Sequence, residues 1–83
     1  MKNVSGGVIN IFDKGSKGYM IEAMGKEEVS IVKDYLWLEN LLVNDFLSVI
    51  TCEVSKAIGE EFIEKCNLNK IPYTLDGEIV INN

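Results

Sequence analysis

Apolar and polar residues alternate at both ends of this chain and recur every three to four positions in its middle. Those two periods divide the 83 residues into elements. Near the N-terminus, Val8-Ile9-Asn10-Ile11-Phe12 reads as a strand and Tyr19-Met20-Ile21-Glu22-Ala23-Met24 as its return. The polar segment Asp13-Lys14-Gly15-Ser16-Lys17-Gly18 reads as the loop between them. At the other end, Ile71-Pro72-Tyr73-Thr74-Leu75 and Glu78-Ile79-Val80-Ile81 flank Asp76-Gly77. That dipeptide supplies the positive φ angles of a type I′ turn, so the segment predicts a two-residue hairpin. Pro72 has no N–H to donate, which places its strand at an edge or makes the strand begin there.

No Gly or Pro interrupts residues 26–58, so long regular elements are expected there. The spacing predicts a helix over 26–43. Ile31, Tyr35, Leu38 and Leu42 share one face, widened by Val32, Leu36 and Val43, and Glu27 and Glu28 lie in the first turn, where carboxylates favour the helix dipole. Residues 46–66 support two readings. Phe46, Ile50, Val54, Ile58, Phe62 and Cys66 repeat every four residues, as in one long helix. Each such step overshoots a full circle by roughly 40°, so the stripe winds around the helix. The face made by Ile58, Phe62, Ile63 and Cys66 therefore does not align with Phe46, Leu47 and Ile50. The β-branched content of Leu47-Ser48-Val49-Ile50-Thr51 favours a strand within 46–53. A helix capped by Ser55 and running to Asn67 would follow. Strand-then-helix is preferred over two antiparallel helices. The expected architecture is a single α+β domain over 1–83. It has a small, mostly antiparallel sheet, made of N-terminal and C-terminal hairpins and a further strand at 46–53, covered by two helices.

Composition sharpens the class. A hydrophobic fraction of 47% and a charged fraction of 25% fit a folded domain. A chain of this length has a marginal core, which favours a partner or self-association, a homodimer included. No apolar h-region follows Met1, and no stretch approaches the ~18–20 apolar residues of a membrane span, so a cytoplasmic location and no membrane insertion are expected. In that compartment Cys52 and Cys66 read as reduced, buried thiols, and their spacing matches no zinc or redox pattern.

The chain contains no histidine, arginine or glutamine. It thereby lacks the commonest general base and metal ligand, and the usual bidentate clamp for phosphate. Its eight lysines are scattered against thirteen carboxylates, for a net charge of −5. No basic face is visible for a nucleic acid backbone, whereas basic protein surfaces would attract the chain. Ser30-Ile31-Val32-Lys33 fits the S-x-x-K spacing of penicillin-recognising enzymes, but S-D-N and K-T-G are absent, so it reads as an exposed helix turn. Lys14, Gly15, Ser16 and Lys17 form a weak anion-binding candidate, without the P-loop pattern. Glu60, Glu61 and Glu64 make the densest acidic patch. They lack the asymmetry that acid/base catalysis needs, and no histidine accompanies them for a metal. They read as a solvated helix face or a contact patch. Trp37 and Leu41 add an aromatic-aliphatic anchor.

The sequence thus predicts a non-enzymatic protein–protein interaction module, an inhibitor or adaptor. It would occupy a basic surface of a partner protein through Glu60, Glu61, Glu64, Trp37 and Leu41, with no catalytic residues, metal or cofactor and no direct nucleic acid binding. The alternative is a homo-oligomeric small-molecule or anion-binding domain using the loop at Lys14, Gly15, Ser16 and Lys17.

Overall fold

A computed structural model of the chain describes residues 7–36, 42–44 and 48–80. In chain order the elements are β1 (Val8–Asp13), β2 (Tyr19–Met24), α1 (Lys26–Leu36), β3 (Leu42–Asn44), β4 (Val49–Val54), α2 (Lys56–Leu68), β5 (Tyr73–Leu75) and β6 (Glu78–Val80). The strands form one six-stranded sheet in the order β3-β4-β2-β1-β5-β6. The β1–β5 ladder is parallel and the others are antiparallel. The fold is α+β with two helices on the sheet, and both terminal hairpins lie where alternation and turn chemistry put them. Asp76 (φ 51°) and Gly77 (φ 88°) carry the positive φ angles of the C-terminal turn.

The period of two decides which face of the sheet is covered. Ile9 and Ile11 on β1, Ile21 and Ala23 on β2, and Ile50 and Cys52 on β4 are buried, while the residues between them are not. Pairing aligns these side chains in rows, Ile11 with Ile21 and Cys52, and Ile9 with Ala23 and Ile50. A one-residue slip in any ladder would turn that strand's row outward. Over this face α1 lays Val29, Val32 and Leu36, and α2 lays Phe62 and Cys66. The Tyr35 ring meets Phe62 edge-on, with centroids 6.1 Å apart, and joins the two helices. Each large aliphatic or aromatic side chain buried here contributes ~1.5–3 kcal/mol relative to exposure.

Three expectations are corrected. The helix expected over 26–43 does not reach its far end: α1 is Lys26–Leu36, and Leu42–Asn44 is a strand pairing antiparallel with β4. Apolar residues at 42 and 43 suit a helix stripe or a strand equally. The decision falls to tertiary structure, because β4 would otherwise present a bare edge of N–H and C=O groups. The buried stripe of α1 is Val29, Val32 and Leu36, with Ile31 and Tyr35 half-buried at its margin. On α2, Ile58 is 38% exposed and Gly59 takes its place in the packed face. The strand expected at 46–53 is present as Val49–Val54; positions 46 and 47 lie outside the described residues.

Both ends of α2 are fixed by local chemistry. Ser55 Oγ accepts a hydrogen bond from the Ile58 N–H at 3.3 Å, as an N-cap does. At the C-terminus the Lys70 N–H donates to the Asn67 carbonyl (3.3 Å) and the Ile71 N–H to the Cys66 carbonyl (2.8 Å). That pair of bonds is a Schellman motif, with Lys70 held in the left-handed region at φ 57°. Among the described residues no helix is long and apolar enough to cross a membrane.

A lysine at that position bears a left-handed backbone penalty of ~1–2 kcal/mol that glycine avoids, offset in part by the freedom glycine adds to the unfolded chain. Lys70→Gly is therefore expected to raise the thermal midpoint by a few degrees, read by circular dichroism. An unchanged or lower midpoint would contradict the assigned cap.

Candidate functional site

The outer face of α2 carries the acidic patch. Glu60, Glu61 and Glu64 are all exposed, on the side opposite Gly59, Phe62 and Cys66. Lys65 pairs with Glu61 at 3.3 Å, while its ammonium also donates to the Tyr35 carbonyl at 3.3 Å and lies 5.9 Å from that ring. Glu60 and Glu64 make no salt bridge among the described residues. Trp37 and Leu41 lie outside the described residues.

The loop between β1 and β2 is a single 3-10 turn, Gly15–Lys17, preceded by Lys14, and all four residues are exposed. Its amides are largely engaged. The Lys14 N–H donates to the Gly18 carbonyl (2.7 Å), Lys17 to Lys14 (3.2 Å) and Gly18 to Gly15 (3.1 Å), while the Gly15 N–H donates to Asp13 Oδ1 (2.8 Å). Asp13 is the hub of this end of the molecule. Its carboxylate also takes a hydrogen bond from Lys56 Nζ at 2.8 Å, and its own N–H donates to Asp76 Oδ1 at 3.0 Å. The Lys56 ammonium stands 4.7 Å from the centre of the Tyr19 ring. Hydrogen bonding by Lys56, then by the Gly15 N–H, holds the Asp13 carboxyl below its usual range. The same contact with Asp13 holds the Lys56 ammonium above its own. One ion pair thereby ties the end of β1, the loop and the start of α2 together, and Asp76 adds the β5–β6 turn.

Two further features escaped the sequence reading. The face of the sheet away from the two helices carries a hydrogen-bonded row: Thr74 Oγ1 donates to Asn10 Oδ1 at 2.7 Å, and Asn10 Nδ2 donates to Glu22 Oε1 at 3.2 Å. Their positions were legible as the polar members of each alternation, and the β1–β2 hairpin was expected, but the parallel pairing of β1 with β5 that brings Thr74 to Asn10 was not. Beside α1, a cleft of about 300 Å³ is lined by Lys26, Val29, Ser30, Lys33 and Ser48. The S-x-x-K pair lies in this wall, on the exposed side of α1.

Chemistry elsewhere is restrained. Among the described residues no cluster of three or more Cys, Asp or Glu side chains is arranged to hold a metal ion. Cys52 and Cys66 are free and buried. Burial pushes the Cys52 thiol up to about 11 and the Cys66 thiol up to about 12. Thiolate is the reactive form, so both are expected to react slowly with a disulfide reagent at pH 7.5 and rapidly in denaturant. Immediate labelling of the native protein would contradict their placement. The linkage has a definite sign. The raised folded values stabilise fully below the unfolded thiol value of about 8.5, and that stability is lost as pH rises towards 11–12. No protein-family model, no curated protein and no solved structure matches this chain.

Proposed function

We propose that this chain is a small acidic protein–protein interaction module that docks the outer face of α2 onto a basic surface of a partner protein, as an inhibitor or adaptor would. The observation that carries the reading is the display of Glu60, Glu61 and Glu64 on a helix capped at both ends and packed on the sheet through Phe62 and Cys66. A backbone already fixed in a helix loses little conformational freedom on binding, so the ordering cost is confined to the Glu side chains, and this preorganisation favours affinity. Lys65 pairs with Glu61 and the Lys56 ammonium, held by Asp13, also acts on Glu60, while Glu64 makes no salt bridge among the described residues and is open to external cations.

Charge placement over the rest of the molecule supports the same partner class. Among the described residues none of the six strands contains a lysine, whereas Glu22 and Glu53 lie on the sheet face away from the helices. With a net charge of −5, two copies of this chain would repel at long range, while a basic partner would be steered in.

The test compares immobilised wild-type chain with an E60K/E64K variant in affinity capture from the same lysate, with cross-linking mass spectrometry to locate the contact. The expected result is a partner retained by the wild type, released as ionic strength rises, and bound at least ten-fold less by the variant, whose thermal midpoint stays within a few degrees. A partner held equally well by the variant, or cross-linked away from α2, would contradict the reading.

A further inference from the structure

The face of the sheet away from the helices is not the polar surface that a solvated antiparallel sheet presents. Of the nine side chains that β1, β2 and β4 direct to it, five are apolar, two are acidic and none is basic. Register sorts them into rows. Val8 pairs with Met24 and Met24 with Val49, which makes one apolar row across the three strands. Phe12 pairs with Met20 to begin a second row, which Glu53 ends. Glu22 stands between the rows, opposite Asn10, whose side-chain N–H it accepts at 3.2 Å. Met24 and Glu53 are exposed, and the other members of both rows are half-buried. Neither Glu22 nor Glu53 makes a salt bridge among the described residues.

Size and charge together select the occupant. Three strands at ~4.8 Å spacing are about 10 Å wide, the diameter of an α-helix with its side chains. The two apolar rows lie four residues apart along each strand, ~14 Å, which two to three helical turns span. Methionine adapts its shape to a docked surface, and Met20 and Met24 lie one in each row. An apolar stripe on a partner helix would fill the rows, while cations flanking that stripe would answer Glu22 and Glu53. We infer that this face docks a basic amphipathic helix of a partner protein. The apolar stripe of that helix packs on Val8, Phe12, Met20 and Met24, and its lysine or arginine side chains pair with Glu22 and Glu53. A second copy of the chain is a poorer occupant, because it would set these carboxylates against their own kind. The site lies across the sheet from α2 and does not depend on that helix binding a partner.

The test titrates the chain with a synthetic helix of about 18 residues, leucine along one face and lysine flanking it, and with a scrambled peptide of the same composition. Two-dimensional ¹⁵N and methionine-methyl NMR at pH 7.5 and constant ionic strength locates the contact, and calorimetry measures it. Saturable shifts centred on Phe12, Met20, Glu22 and Met24 are expected, with the scrambled peptide bound at least ten-fold more weakly. E22Q/E53Q should weaken binding at least five-fold and M20T/M24T at least ten-fold. E60Q/E64Q removes the same charge as the first variant and should stay within two-fold of wild type. Glutamine keeps an acceptor for Asn10 and threonine favours strands, so the variants should retain the wild-type fold. Shifts that never saturate or that centre on Glu60, Glu61 and Glu64, equal binding of the scrambled peptide, or equal losses in the two glutamine variants would overturn the site. Shifts at the same residues on concentrating the chain alone would overturn it too, by assigning the face to a second copy.

Discussion

The arrangement of this molecule depends on how closely the backbone of α2 approaches the sheet at Gly59. A Cβ on that residue would collide with the ring of Tyr19, so the absence of a side chain lets the helix axis settle onto β2. Once seated, α2 directs Phe62 and Cys66 into the core, where both are fully buried. It also brings Lys56 over the Tyr19 ring and onto Asp13. The opposite side of the same turns, Glu60, Glu61 and Glu64, is thereby left facing water. A steric constraint at one residue thus sets both the packing of the core and the orientation of the surface proposed to meet a partner.

Much of this fold was legible because its signals are local. The hairpins follow from alternation and from Asp76-Gly77, and the start of α2 follows from Ser55 placed ahead of a helical stretch. What escaped the sequence reading is tertiary. Leu42 and Val43 satisfy a helical stripe as well as they satisfy a strand, and only the exposed edge of β4 decides between them. Ile58 carries more apolar surface than Gly59, yet the helix turns the glycine inward because contact distance outweighs side-chain hydrophobicity there. The acidic patch was readable as three nearby glutamates. The cleft was not, because Ser48 comes from a distant segment and meets α1 only in the folded chain.

Electrostatically the chain is divided rather than uniformly acidic. Among the described residues the strands hold no lysine, α2 faces outward with glutamates, and α1 collects Lys26 and Lys33 along one stripe. Surface charges separated by more than a Debye length of about 8 Å act almost independently at physiological salt. The acidic face proposed to meet a partner and the lysine stripe of α1 lie on different helices. The Asp13–Lys56 pair belongs to neither. Both its side chains are solvent-accessible, and its role is to register the loop, the turn and the start of α2 against one another.

The central claim is that close contact at Gly59 seats α2, and Gly59→Ala tests it by the sign of its effect. In an ordinary helix interior this substitution stabilises by about 1 kcal/mol, through propensity alone. Against the Tyr19 ring the added methyl overpacks the core, at a cost of ~1–3 kcal/mol or more. Denaturant unfolding of the two proteins is expected to show the alanine variant less stable than wild type. A variant as stable as wild type, or more so, would contradict the account.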